Sequence, residues 1–281
     1  MFKHFLITRF NLRQPDWKTT KNNVPVLTEE WHKNRFELFV KYCFYSVAAQ
    51  TNKDFEWLVF FDTTTPKKYK LIIDELDKKL VNFKPFFVEG MEQFLPGIKS
   101  YVSNFNQEYI ITSRIDNDDC LSKDYIDAVQ KQFNQQNFTA IDFIDGYTIQ
   151  TSPNIKIGKR FDQYNPFISL IEKNDDPKTV WAIRHSHWKR EKNIVQIRNH
   201  RTWAAVIHQE NKINAFVGYD DVNLTEFFKD FIIDPSEVTK LKNEAIPYIE
   251  WKKESKRNHI SSYWNYTFKN IKKKLGVYKF K

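Results

Sequence analysis

Three carboxylates fall within four residues at Asp116, Asp118 and Asp119, with Asn117 between the first two. They follow a short apolar run, Tyr109–Ile111, that reads as a buried β-strand with Arg114 at its exit. Concentrating that much negative charge where a buried strand ends is costly unless positive charge sits beside it. A divalent cation carrying a phosphate ligand would supply it. Such oxygen donors suit Mg²⁺ or Mn²⁺ better than Zn²⁺. The pattern predicts a metal-dependent enzyme acting on a phosphorylated donor.

Those residues need a scaffold, and the first ~120 residues alternate strand and helix. His4–Phe10 reads as a first strand, followed by a polar loop to about Glu30. Thr28 is a plausible N-cap, with Glu29 and Glu30 in the first turn of a helix whose apolar face is Phe36, Phe39, Val40, Cys43 and Val47. Trp57–Phe61 is a second strand, ended by Asp62. Lys67–Leu80 is a helix with Leu71, Ile72, Leu76 and Leu80 inward. Pro85–Val88 and Tyr109–Thr112 are the third and fourth strands. This order predicts a mostly parallel, doubly wound sheet. After a helix at Ser122–Phe133 come short β-like runs at Phe138–Ile144, Tyr147–Thr151, Ile155–Lys159, Val180–Arg184 and Thr202–His208. Helices follow from about Ser236, so the division expected is a domain over 1–235 and a helical, basic segment over 236–281. Open parallel sheets bind ligands beyond the carboxyl ends of their strands. Arg9, Asn11, Asp62 and Asp116–Asp119 follow strands directly and are expected to share one crevice.

The composition supports a packed core: 41% of the 281 residues are hydrophobic, with 25 Phe, 13 Tyr and 8 Trp. Cys43 and Cys120 match no metal-ligand spacing and are expected to be free thiols. No apolar run is long enough for a signal-peptide core or a membrane span, which predicts a cytoplasmic protein, free or peripheral at the inner face of the cell membrane. The net charge of +9 has an uneven source. Residues 252–281 hold ten Lys or Arg and one acid, Glu254, so the rest of the chain is neutral. No nucleic-acid partner is expected of that body. Within the tail, residues 263–281 place Trp264, Phe268, Ile271 and Leu275 on one helical face flanked by Lys269, Lys272 and Lys273. That pattern suits an anionic membrane surface, or an apolar stripe docked on the protein's own domain.

Four segments resemble the GT-A glycosyltransferases, and more narrowly the bacterial family described as putative rhamnosyltransferases. They are HFLITRFN at 4–11, the helix carrying Arg35 with Leu38, Phe39, Ser46, Gln50 and Thr51, FEWLVFFD at 55–62, and ITSRIDNDD at 111–119, with a weaker echo in WAAVIHQEN at 203–211. The resemblance implies a GT-A-like (Rossmann-like) mostly parallel central sheet flanked by helices. It also implies a nucleotide-diphosphate sugar donor and a cation bridging the pyrophosphate to an Asp-x-Asp motif, here Asp116-Asn117-Asp118. Asp116, Asp118 and His208 become the candidate ligands for Mn²⁺ or Mg²⁺. Arg9, Asn11, Arg35, Asp62, Arg114, Asp116 and Asn117 become candidate nucleotide-sugar contacts. The acceptor implied is a cell-surface polysaccharide, a lipopolysaccharide or another lipid-linked glycan.

Each assignment competes with a plainer one. The aspartates could cap the next helix, and Arg114 could pair with them. Asp62 could open the turn before Pro66, and Arg35 could lie along an apolar surface. If transfer inverts the anomeric centre, a carboxylate must deprotonate the acceptor. Asp145 and Glu172 are the leading candidates, ahead of the Asp220-Asp221 pair, and His185 and His187 are weaker site candidates. Two other functions compete: a sugar-nucleotidyltransferase, which should carry a glycine-rich phosphate loop that TRFNLRQPDW lacks, and a nucleic-acid-binding protein using the basic tail.

Overall fold

The computed structural model describes residues 1–16, 18–19, 25–209, 211 and 215–278. Parallel pairing joins β1 (Phe2–Arg9), β2 (Glu56–Asp62), β3 (Phe83–Val88) and β4 (Tyr109–Arg114). Their crossovers are α1 (Glu29–Leu38), which runs through a π-helical stretch (Phe39–Phe44) into α2 (Tyr45–Ala48), then α3 (Lys67–Lys79) and α4 (Phe94–Val102). Thr28 caps α1 as predicted, its Oγ1 accepting from the Trp31 amide at 3.2 Å.

Side chains alternate between two apolar layers along each central strand. Leu6, Trp57, Val59, Phe61 and Ile111 face one cluster with Phe36, Phe39 and Cys43. Phe5, Ile7, Leu58, Phe60 and Ile110 face the other with Phe94 and Ile98. Burial on both faces explains why these strands read as unbroken apolar runs. One helix is rotated relative to expectation: α3 buries Tyr69, Ile73 and Leu76, while Leu71 and Ile72 are exposed.

After β5 (Cys120–Leu121) and α5 (Tyr125–Gln130) the chain forms β6 (Phe138–Phe143), β7 (Asp145–Gln150), β8 (Lys156–Phe161), β9 (Ser169–Lys173), β10 (Ile194–Ile197) and β11 (Trp203–Ile207). The main sheet has seven strands in the order β10-β6-β9-β4-β1-β2-β3, with β9 the antiparallel member. Its mostly parallel character is the predicted one, but β9 and β10 are additions to the expected strand set. The expected strand at Val180–Arg184 is instead a 3₁₀ turn over Val180–Ala182, entered through Thr179 at φ 66°. A second sheet, ordered β5-β11-β7-β8, packs against α6 (Leu224–Asp230) and α7 (Pro235–Glu244) through a third cluster that includes Ile149, Val206, Phe227 and Leu241. The final helix, α8 (Tyr248–Lys274), spans 27 residues. Cys43 and Cys120 are buried free thiols.

Candidate active site

Parallel pairing puts the ends of β1, β2 and β4 at one edge of the main sheet, so Arg9, Asp62 and Arg114 emerge on the same side. The loop after β4 folds back on the exit of β1. Asn117 Nδ2 donates to the Phe10 carbonyl at 2.9 Å, which fixes the motif against the first strand. β11 is delivered to the same place by antiparallel pairing with β5, whose register sets Ala204 opposite Cys120. The Val206 amide donates to Asp119 Oδ1 at 2.8 Å, and His208 follows directly.

Asp118 is the hub of this junction. Its Oδ2 accepts from Arg35 Nη1 at 2.7 Å and from His208 Nε2 at 2.9 Å, with Asn211 Nδ2 at 3.4 Å. Burial pushes its carboxyl up, but the Arg35 charge and the His208 contact outweigh that and hold it well below the usual carboxylate range. Asp119 moves the other way: burial, then the neighbouring Asp118 and Asp116 charges, push its carboxyl well up. Arg35 also donates to Asn117 Oδ1 at 3.2 Å and lies 5.2 Å from the Trp31 ring, so it stands inside the site and not along an apolar surface.

Asp116 differs from both neighbours. It is half-buried, and no side-chain donor reaches its carboxylate among the described residues. Beside it, Arg114 is buried with its guanidinium 3.8 Å from the Trp181 ring centroid, and its Nε has no hydrogen-bond partner. Burial lowers the Arg114 pKa to about 10. Arg9 approaches the same indole at 5.4 Å. Trp181 is a site residue that the sequence did not mark, and it is placed by the 3₁₀ turn over Val180–Ala182.

Asn11 and Asp62 sit at this edge with their side chains turned to internal work. Asn11 Oδ1 accepts from the Asp62 amide and its Nδ2 donates to Thr65. Asp62 accepts from the amides of Arg13, Thr64 and Gly90, which gathers three loops at the end of β2. Burial raises its pKa, and the hydrogen bonds from Thr64 and Arg13 more than reverse this.

The two carboxylates expected to act as a base are elsewhere or committed. Glu172 lies opposite Ile110, at the far end of β4, roughly 20 Å of strand from Asp116. Its oxygens accept the Lys178 and Thr179 amides, holding the loop that leads to Trp181. Asp145 is buried and ion-paired to Arg198 Nε at 3.0 Å, and it also accepts the Asn199 amide at 2.7 Å. His185 is nearer the chemistry. Its Nδ1 lies 3.0 Å from the Tyr164 carbonyl, a contact only an Nδ1–H can make, so Nε2 keeps a lone pair in the neutral ring. It feels the Arg114 and Asp116 charges, and burial holds its pKa below the usual histidine value.

Two carboxylates and an imidazole are donor types that a divalent cation accepts, but Asp118 and His208 are hydrogen-bonded to each other and only Asp116 is open. Among the described residues these groups are not drawn into a ready cage of three ligands.

Among solved structures, S. aureus TarS is similar at 11% identity and TM-score 0.44, over 73% of this chain and 37% of that one. This chain therefore spans just over a third of that protein's length. S. aureus TarS 1-349 in complex with UDP-GlcNAc is similar at 12% identity and TM-score 0.43, over 92% and 73% of the two chains. A protein from Desulfovibrio desulfuricans G20 described as a "putative nucleotide-diphospho-sugar transferase" gives 8% identity and TM-score 0.37, over 75% and 84%. No curated protein matches the chain. The family model described as "Putative rhamnosyl transferase" matches residues 3–219, and the chain belongs to that family of glycosyltransferases.

Proposed function

We propose that the protein moves a sugar, rhamnose by the family's description, from a nucleotide-diphosphate donor to a surface polysaccharide, a lipopolysaccharide or another lipid-linked glycan. The observation that carries this reading is an open Asp116 carboxylate beside a buried Arg114 whose Nε has no hydrogen-bond partner, with no ion pair joining the two among the described residues, at the edge where β1, β2 and β4 end. A half-buried carboxylate and a buried guanidinium that no ion pair joins leave both open to a ligand that presents a cation and anionic oxygens.

In this reading Arg114 and Arg9 face the donor diphosphate, and the Trp181 ring, 3.8 and 5.4 Å from them, positions both guanidinium groups. Asp116, Asp118 and His208 would hold Mn²⁺ or Mg²⁺, which supplies charge stabilisation to the departing nucleoside diphosphate. Arg35 keeps Asp118 ionised, and Asn117 fixes the loop. His185, held as the Nδ1–H tautomer by Tyr164, takes the acceptor hydroxyl proton at Nε2. Asn11 and Asp62 set the loop geometry at the end of β2. Residues 1–235 act as the transferase domain and 236–281 as a helical appendage.

The test is a panel of nucleotide-diphosphate sugars, rhamnose donors included, scored for Mn²⁺-dependent binding and slow donor hydrolysis. Asp116→Ala and Asp118→Ala serve as controls. At least one donor should bind in the presence of metal and fail with either variant. A panel in which nothing binds, or in which binding ignores both metal and the two substitutions, sinks the proposal.

A further inference from the structure

Helix α8 turns its polar side inward. The Asp220 amide donates to Ser255 Oγ at 2.8 Å, Asn258 Nδ2 donates to the Gly218 carbonyl at 3.0 Å, and Gln163 Nε2 donates to Asn270 at 2.8 Å. Lys269 reaches Asp162 on the same side at 3.3 Å. At 100° per residue the opposite side collects Ile260, Trp264, Phe268, Ile271 and Leu275, with Tyr263 at its margin. All are open to solvent; Trp264 is 67% exposed, Phe268 57% and Leu275 73%. The apolar stripe legible in the sequence is therefore not docked on the protein's own domain.

The margins of that stripe are cationic. Lys256 and Lys274 lie along one side, Lys272 along the other, and Lys253 and Arg257 continue its line toward the start of the helix. The whole positive excess of the chain lies in the segment that contains this helix. A second copy packed on the stripe would set these like charges against one another. A polyanionic nucleic acid would leave the apolar side chains in water. An anionic lipid surface satisfies both features, since headgroup phosphates meet the lysines and the acyl boundary takes the aromatic and aliphatic side chains. No described helix is long and apolar enough to cross a membrane, so contact would be in the plane of the surface.

We propose that α8 seats the protein on an anionic lipid bilayer through Trp264, Phe268, Ile271 and Leu275. The helix adjoins the candidate active site. Lys269 and Lys273 lie 6.0 and 5.4 Å from the Tyr164 ring, and the Tyr164 carbonyl fixes His185. Seating α8 would therefore hold that site close to the headgroup layer.

Flotation of the full chain with phosphatidylcholine vesicles, with and without about one third phosphatidylglycerol, tests the proposal. The chain should float with the anionic vesicles, stay behind with the neutral ones, and detach as salt rises. The double variant Trp264→Glu, Phe268→Glu should bind at least roughly tenfold more weakly while keeping the wild-type circular dichroism, because both side chains are exposed. A wild-type chain that stays unbound on anionic vesicles at low salt overturns the proposal. Equal flotation of the double variant does too, as does sedimentation showing a dimer that the variant breaks while vesicles are ignored. Binding is read without donor or acceptor, so its outcome is separate from that of the transfer reaction.

Discussion

Asp118 carries its charge in a place where water contributes little to it. Arg35 and His208 hold the carboxylate ionised against the cost of burial. Because its folded pKa is depressed, its contribution to stability is present above the ordinary carboxylate range and is lost as pH falls through the folded value. Arg35→Met removes the guanidinium and strands the buried anion, at a cost of about 3–5 kcal/mol. Urea unfolding at pH 7 measures that loss, and the gap from wild type should narrow on acidification as the stranded carboxyl takes up a proton. A variant as stable as wild type at pH 7 would remove Arg35 as the counter-charge. His185 titrates in the opposite sense for function. Its base form exists above its folded pKa, and burial places that value below the ordinary histidine value of about 6.5. Transfer activity should hold through neutral pH and fall only on further acidification. His185→Gln should lower kcat by roughly a hundredfold or more and abolish that acid limb while donor binding stays near wild type. An unchanged acid limb in the variant would assign the proton to another group.

At the scale of elements, delivery of His208 depends on how β11 pairs in parallel with β7. Trp203, at the start of β11, lies face to face with Phe167 and donates from Nε1 to the Phe143 carbonyl at 2.6 Å. Its ring occupies the space above Gly146: a Cβ there would lie 2.3 Å from Trp203 Cδ2. Gly146→Ala must displace the indole, so a loss of about 1–3 kcal/mol is expected from overpacking. Thermal unfolding gives that loss, and metal affinity should fall with it because His208 moves with the strand. A variant with unaltered stability would show that β11 is not held by this contact. Nothing local in the sequence at Gly146 announces the tryptophan that covers it 57 residues later. The same reason separates the legible elements from the others. β1, β2 and β4 are buried on both faces and show as apolar runs, whereas β9 (SLIEK) and β10 (IVQI) are short and carry polar residues. VWAI at 180–183 is apolar enough to read as a strand, yet the positive φ at Thr179 turns it into the platform for Arg9 and Arg114. The aspartate cluster was legible because its charge density needs explaining wherever it stands. Trp181 and the Nδ1 contact of His185 were not, because both arise from tertiary neighbours more than twenty residues away in sequence.

The molecule as a whole separates its charge from its chemistry. A neutral body carries the strand-end site, and the last thirty residues carry the entire positive excess beside an outward apolar stripe. If α8 seats the protein and the site performs transfer, the two can be uncoupled by experiment. Donor hydrolysis in solution uses the strand ends alone and should be unchanged in Trp264→Glu, Phe268→Glu. Transfer to an acceptor embedded in anionic vesicles gains from surface concentration, and the same variant should lose roughly tenfold or more there. Raising salt should lower the wild-type rate on embedded acceptor toward that of the variant, as exposed lysine–phosphate attraction is screened over a Debye length of about 10 Å at 0.1 M. Equal loss on soluble and embedded substrates would mean that α8 supports the active-site fold through Tyr164, whose ring lies 5.4 Å from Lys273 and whose carbonyl holds His185. The ratio of the two rates, more than either alone, distinguishes an anchoring helix from a structural one.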